Sequence, residues 1–150
     1  MRKPKILLFA IITLVVVLFL FWFFIDKADD ESKVCFEDSC FNVEVVDSSE
    51  EREKGLMFRE SLDKNKGMLF IFEQSGNYPF WMKNTLIPLD MIWIDEENRI
   101  VYIKDNAMPC KENTCEIINP NANAKYVVEL NSGTANEIGI NIGDEAIIKI

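Results

Sequence analysis

Between Pro79 and Asp90 the chain reads Pro79-Phe80-Trp81-Met82-Lys83-Asn84-Thr85-Leu86-Ile87-Pro88-Leu89-Asp90, a mixture that a plain strand would not carry. Lys83 brings a charge, Asn84 an amide, Thr85 a hydroxyl and Asp90 a carboxylate. Trp81 adds a flat ring able to wall a pocket for a polar ligand. Upstream, Arg59 offers a planar cation suited to an anion. Arg59, Trp81, Lys83, Asn84, Thr85 and Asp90 are therefore the candidate binding residues. The competing reading is structural: in a proline-bent segment Asn84 and Asp90 satisfy backbone groups, and Lys83 is solvated.

The sequence contains no histidine. That excludes a Ser-His-Asp triad, a Cys-His pair and any His-ligated zinc or copper. Proton transfer near neutral pH would fall to a perturbed carboxylate, lysine or thiol. Lys83 as base with Asp90 as orienting group is the arrangement a histidine-free hydrolase of an envelope component would use. No nucleophile elbow, phosphate loop or metal-ligand spacing accompanies it, so no catalytic residue, metal or cofactor is assigned. Met57, Met68, Met82, Met91 and Met108 could bind copper(I) through soft thioethers, but methionines more often fill cores.

Four cysteines form two matching C-x4-C pairs, Cys35 with Cys40 and Cys110 with Cys115. Outside the cytoplasm an even count suggests disulfides, with local pairing the simplest arrangement. A loop this small contributes about 2 kcal/mol by chain entropy, against about 4–5 kcal/mol for crossed pairing over long loops. A four-cysteine zinc site and free thiols are the rival readings.

The positioning elements are mostly strands. Phe41, Val43 and Val45 alternate with polar residues; Gly67–Phe72 is a continuous apolar run; Leu89–Ile94 and Arg99–Lys104 read as a hairpin about Asp95–Asn98. Tyr126–Leu130 and Glu145–Ile150 complete the set, with a turn expected over Glu73–Asn77 and a long loop over 105–125. Ser48…Glu51 and Thr134…Glu137 look like capping boxes, each opening a short helix stopped by Gly55 or Gly139. The pattern predicts a mainly β (β-rich α+β) domain, an antiparallel sandwich or partial barrel with two short helices.

Ahead of it, Ile6 to Ile25 is an apolar run of 20 residues interrupted only by Thr13. As a helix it reaches about 30 Å, the thickness of a bilayer core. Its length and the absence of a small-residue cleavage site favour an uncleaved anchor over a cleaved signal. Arg2, Lys3 and Lys5 precede it and Asp26, Asp29, Asp30 and Glu31 follow, so the C-terminal domain is expected outside the cytoplasm. The expected organisation is an anchor over 1–27, a tether with the first cysteine pair over 28–40, and an extracytoplasmic domain over 41–150. From residue 28 onward 12 basic side chains face 24 acidic ones. Nucleic acid and anionic lipid are thereby disfavoured as ligands. The expected partners are the bilayer, through residues 6–25, and a small molecule or protein of unknown identity.

The order Arg52…Gly55-Leu56-Met57-Phe58-Arg59…Gly67-Met68-Leu69-Phe70-Ile71-Phe72, then Phe80-Trp81-Met82-Lys83-Asn84-Thr85-Leu86-Ile87-Pro88-Leu89-Asp90, closely resembles domain of unknown function 192. The likeness continues through Asn106…Pro109-Cys110…Cys115, Tyr126-Val127-Val128-Glu129-Leu130-Asn131-Ser132-Gly133-Thr134-Ala135, Gly139-Ile140 and Gly143-Asp144. It implies a small β-rich domain, often behind a signal or anchor, with no assigned reaction. It also implies that the second cysteine pair is a common feature, whereas Cys35 and Cys40 lie outside the pattern. The sequence thus points to a membrane-anchored ligand- or protein-binding module at the cell envelope. The histidine-free hydrolase and a purely structural role are the alternatives.

Overall fold

Leu89–Ile94 is buried at all six positions, which requires strands on both sides and cover on both faces. The computed structural model describes residues 14–15, 32–111 and 114–150. In chain order the elements are β1 (Lys33–Phe36), β2 (Ser39–Val46), α1 (Ser49–Lys54), β3 (Lys66–Gly76), β4 (Phe80–Trp81), β5 (Leu89–Ile94), β6 (Ile100–Ala107), β7 (Ile117–Ile118), β8 (Ala124–Asn131), α2 (Thr134–Ile138) and β9 (Ala146–Lys149). All belong to the compact unit Glu31–Ile150. The apolar run 6–25, expected to cross a membrane, lies outside the described residues except for Leu14 and Val15. Among the described residues no helix is long and apolar enough to do so.

Seven strands form one sheet in the order β6-β5-β8-β3-β2-β1-β9, curled into a half-barrel; β4 and β7 form a separate two-stranded ribbon. At one end the two edges of the curl meet. Arg99 bridges Glu145, and the Ile100 N–H donates to the Asp144 carbonyl at 2.9 Å. The partial barrel expected from sequence is therefore the form adopted, not the sandwich. The expectation of a wholly antiparallel sheet needs correction, because β2 and β3 run parallel. A parallel pair needs a long crossover. Here α1 and the loop up to Asn65 provide it, with Ser48 and Glu51 closing a capping box and Gly55 ending the helix.

Three further expectations are corrected. The segment Lys33–Cys40 is not tether: β1 pairs with both β2 and β9, and Cys35 stands opposite Cys40 across the hairpin. The expected turn at Glu73–Asn77 is largely strand, because β3 continues through a bulge to Gly76 before the chain reverses. Tyr78 then stacks on Phe72 at 3.6 Å and its hydroxyl donates to the Gln74 carbonyl at 2.7 Å, which folds the chain back. Finally, Thr134 does not cap α2. Gly133, with φ 87°, holds the N-cap position and supplies no side-chain bond.

The cap of α2 comes from another strand. Asp90, fully buried in β5, accepts from the Ala135 N–H through Oδ2 and from the Asn106 N–H through Oδ1, both at 2.8 Å. It thus ties β5 to α2 and to the end of β6. Strand pleating divides the core in two. Leu69, Ile92, Ile94, Val128 and Leu130 pack inside the curl with Phe36, Phe41 and Ala135. Met68, Phe70, Met91, Trp93 and Val127 pack on the outer face with Leu56 and Met82. Gly67 lets β3 approach β8, since a Cβ there would sit 2.6 Å from a Leu130 methyl and 2.7 Å from the Glu129 carbonyl. Asp90→Ala strands one buried and one part-buried N–H donor; we expect a loss of about 2–4 kcal/mol in chemical denaturation. A loss below about 0.5 kcal/mol would refute the clip.

Candidate functional site

The outer face is covered by α1, the stretch 55–58, the 78–88 segment and the β4–β7 ribbon. Between this cover and the sheet lies a cavity of about 330 Å³, bounded by Leu56 and Met57 on one side and Tyr78 to Trp81 on the other, with Phe70, Phe72, Thr85, Ile117 and Glu129 completing the lining. Its walls are mainly apolar, with Phe70, Phe72, Tyr78, Phe80 and Trp81 supplying aromatic rings, the usual character of a small-molecule site. The rings hold one another. Phe80 meets Phe70 edge-on at 4.9 Å and Trp93 at 5.4 Å. The Trp93 indole N–H donates to the Tyr78 carbonyl at 2.8 Å, fixing the start of the 78–88 segment to β5. Arg52 lies 5.1 Å over the Phe72 ring, and its guanidinium donates to the Asp47 and Ile71 carbonyls. That cation is fixed at the rim by its own contacts.

Glu129 is the charged side chain at the sheet surface of the cavity, only 5% exposed. Its neighbours across the sheet are Met68 and Met91, both buried and neither able to donate. Among the described residues it makes no side-chain hydrogen bond or ion pair. Because no sealed side-chain oxygen there lacks a partner, its carboxyl oxygens open into the cavity. Burial pushes its pKa up to about 8, against a smaller lowering by the Arg59 charge. Arg59 itself is engaged by Glu44 in a two-pronged pair at 2.5 and 2.6 Å. That pairing raises the Arg59 pKa and lowers that of Glu44.

The six residues expected from sequence divide three ways. Thr85 lines the cavity and is 5% exposed, and Trp81 forms part of its wall. Lys83 and Asn84 line a shallower outer groove that shares Glu53, Lys54, Met57 and Trp81 with the cavity. Lys83 Nζ sits 5.4 Å over the Trp81 ring. Asn84 takes a left-handed conformation, φ 57°, in the turn closed by the Thr85 N–H to the Met82 carbonyl. Its carbonyl accepts from the Phe58 N–H at 2.8 Å, joining the two rims of the site. Arg59 pairs with Glu44 outside the lining. Asp90 is on the inner face, so it meets neither Lys83 nor Trp81. The Lys83–Asp90 pair required for the hydrolase reading is not formed.

Both cysteine pairs are disulfides of the local kind, each with S–S 2.04 Å. The second supports the site. Cys110 bridges Lys83, its N–H donates to the Met82 carbonyl, and β7 just beyond Cys115 pairs Ile117 with Trp81. Met68, Met82 and Met91 are core residues, Met57 lines both hollows, and Met108 is exposed, so the methionines do not form one soft-ligand cluster. Sequence reading missed Glu129 and the aromatic cluster of Phe70, Phe72 and Tyr78. The signal for Glu129 was a carboxylate within the run Tyr126-Val127-Val128-Glu129-Leu130.

Comparison with known proteins agrees with this architecture. A candidate transcription regulator from Sinorhizobium meliloti 1021 superposes with a TM-score of 0.71 at 34% identity, covering 79% of this chain and 92% of that one. A protein of unknown function from Novosphingobium aromaticivorans DSM 12444 gives 0.70 at 34% identity, with 78% and 83% covered. None of the curated proteins matches. The profile of the DUF192 family, described as Uncharacterized ACR, matches residues 32–148. With nearly the whole folded unit matched, the chain belongs to the DUF192 family.

Proposed function

We propose that this protein is a membrane-anchored, extracytoplasmic binding module whose ligand is a small molecule held in the aromatic cavity on the outer face of the sheet. The observation that carries the reading is a cavity of about 330 Å³ with an almost fully buried carboxyl opening into it. Apolar walls with a few polar groups, here the buried Glu129 carboxyl and Thr85 hydroxyl, are the pattern of a ligand site. The anchor rests on the 20-residue apolar run Ile6–Ile25 and its asymmetric charged flanks. Two disulfides suit the oxidising side of a membrane. The Sinorhizobium relative is described as a candidate transcription regulator. Transfer of a nucleic-acid role to this chain is opposed by its 24 acidic against 12 basic side chains from residue 28 onward.

Binding is tested by a thermal-shift screen of aromatic fragments on the full chain in nanodiscs. Fragments are expected to raise the melting temperature of the wild type, with about tenfold weaker binding in Trp81→Ala; a screen without saturable hits overturns the reading. Topology is tested with protease. Added to right-side-out vesicles it should remove the domain, and added to inverted vesicles it should spare it; the reverse pattern overturns the extracytoplasmic assignment.

Glu129 also predicts a pH dependence of stability. A carboxyl whose folded pKa is raised to about 8 binds more protons folded than unfolded between its ordinary value near 4.5 and 8. Its contribution is complete below about pH 4.5 and is lost as pH rises through 8, at up to about 1.4 kcal/mol per pH unit. Denaturation of Glu129→Gln across that window should lack this slope; an identical slope in the variant would remove Glu129 as its source.

A further inference from the structure

Asp90 and Glu129 stand on adjacent central strands and are both buried, yet their surroundings differ. Asp90 accepts two backbone N–H bonds. Glu129 accepts none from the described residues, and opens into a hollow walled by rings. A buried carboxyl without donors is costly. The donors it lacks must come from what occupies the hollow.

The surroundings narrow the choice. Arg59 is the cation whose charge reaches Glu129, but Glu44 already neutralises it through two short hydrogen bonds. On the remaining sides, β3 presents Met68 and β5 presents Met91, which carry no charge. From the cover, Arg52, Glu53, Lys54 and Tyr78 line the cavity. Arg52 is fixed on the Asp47 and Ile71 carbonyls and Tyr78 on the Gln74 carbonyl, so neither group is directed to Glu129. Glu53 and Lys54 are exposed and opposite in sign. An anionic ligand would meet the Glu129 carboxylate directly, and the other cation at the rim, Lys54, is exposed to solvent and stands beside Glu53. A cation would meet that carboxylate together with the electron-rich faces of aromatic rings, an environment that attracts ammonium groups. The strongly acidic domain also draws cations toward its surface.

We infer that the cavity selects an organic amine, with its ammonium group donating to the Glu129 carboxylate and its apolar body lying among Phe70, Phe72, Phe80 and Trp81. This rests on the small-molecule reading of the cavity and names the ligand class. Proton balance follows directly. The ammonium keeps its proton, and a Glu129 that is protonated before binding releases its own to solvent as the ion pair forms. No covalent bond is made or broken beyond that O–H.

The test uses the full chain in nanodiscs, with empty nanodiscs subtracted, and three probes of similar size: 2-phenylethylammonium, 2-phenylethanol and 3-phenylpropionate. Titration calorimetry at pH 9 should give the ammonium an affinity at least about tenfold above the alcohol, with the carboxylate weakest. Between pH 9 and pH 6 the ammonium affinity should fall by about 100-fold, following protonation of a carboxyl with a pKa of about 8, while the alcohol affinity changes little. In buffers of different ionisation enthalpy at pH 7, about 0.9 proton should be released per ammonium bound. Glu129→Gln should bind ammonium and alcohol equally. Because the proton count is read on the wild type, the test stands even if the variant fails to fold. Binding of the alcohol or carboxylate at least as tight as the ammonium, or ammonium binding without proton release, overturns the amine assignment and leaves the cavity reading in place. No saturable binding of any probe overturns both.

Discussion

The pleat of the two central strands fixes what the outer surface of this domain can do. Successive side chains on a strand face opposite ways. In β5, Asp90, Ile92 and Ile94 therefore turn into the curl, while Leu89, Met91 and Trp93 turn out. In β8 the same alternation sends Val128 and Leu130 inward and Val127 and Glu129 outward. A shift of one residue in β5 would turn Asp90 outward, and one in β8 would turn Glu129 inward. The first would cost Asp90 its two amide donors, and the second would take the buried carboxyl out of the cavity. The close approach of β3 to β8 at Gly67 helps to fix the register on which this depends.

The half-barrel also explains why a cavity lies on the outer face. Curling buries the inner face against itself, with α2 and Ile140 filling what remains. The outer face must be covered by chain that is not sheet. The β2–β3 crossover supplies α1 and the stretch after it, and the β3–β5 connection supplies the proline-bent segment. These two covers touch where the Phe58 N–H meets the Asn84 carbonyl, with both residues at positive φ. For Phe58, a bulky residue, that conformation costs of order 1–3 kcal/mol. It is held at the rim of the site, where the two covers must meet without filling the space beneath them. The second disulfide loop supports the same rim from outside through Cys110 and the β7 pairing.

Local features were legible in the sequence because they depend on neighbouring residues. The α1 capping box, the Gly55 stop, the β5–β6 hairpin and both cysteine pairs follow short-range rules, and all are present. Features set by distant partners were not legible. The parallel β2–β3 pair depends on where a crossover of loop-like composition lands. The cap of α2 comes from a strand more than forty residues away, so a Thr134 pattern adjacent in sequence was misleading. Of the site, Trp81 and Thr85 were found through their unusual company. Asp90 belonged to the same cluster by sequence, but the pleat carries it to the other face. Glu129 could have been suspected as a charge inside an apolar strand, but its lack of a partner is visible only once Met68 and Met91 are placed beside it.

That contrast bears on why a carboxyl stands at position 129. Asp90 offsets its desolvation with two amide bonds, and in doing so joins β5, β6 and α2. Glu129 ties no element to another, and burial alone holds its carboxyl largely protonated at neutral pH. A methionine like those flanking it would fill much the same volume without desolvating a charge, and exchanges of this kind in cores are often neutral or stabilising. The free folded domain thus gains little from the carboxyl, while a ligand with donor groups would meet a carboxyl that no protein group among the described residues occupies and that is already held in place by its strand. On the binding function proposed above, a group that weakens the empty state and strengthens the occupied one belongs to the chemistry of the cavity, not to the architecture of the sheet.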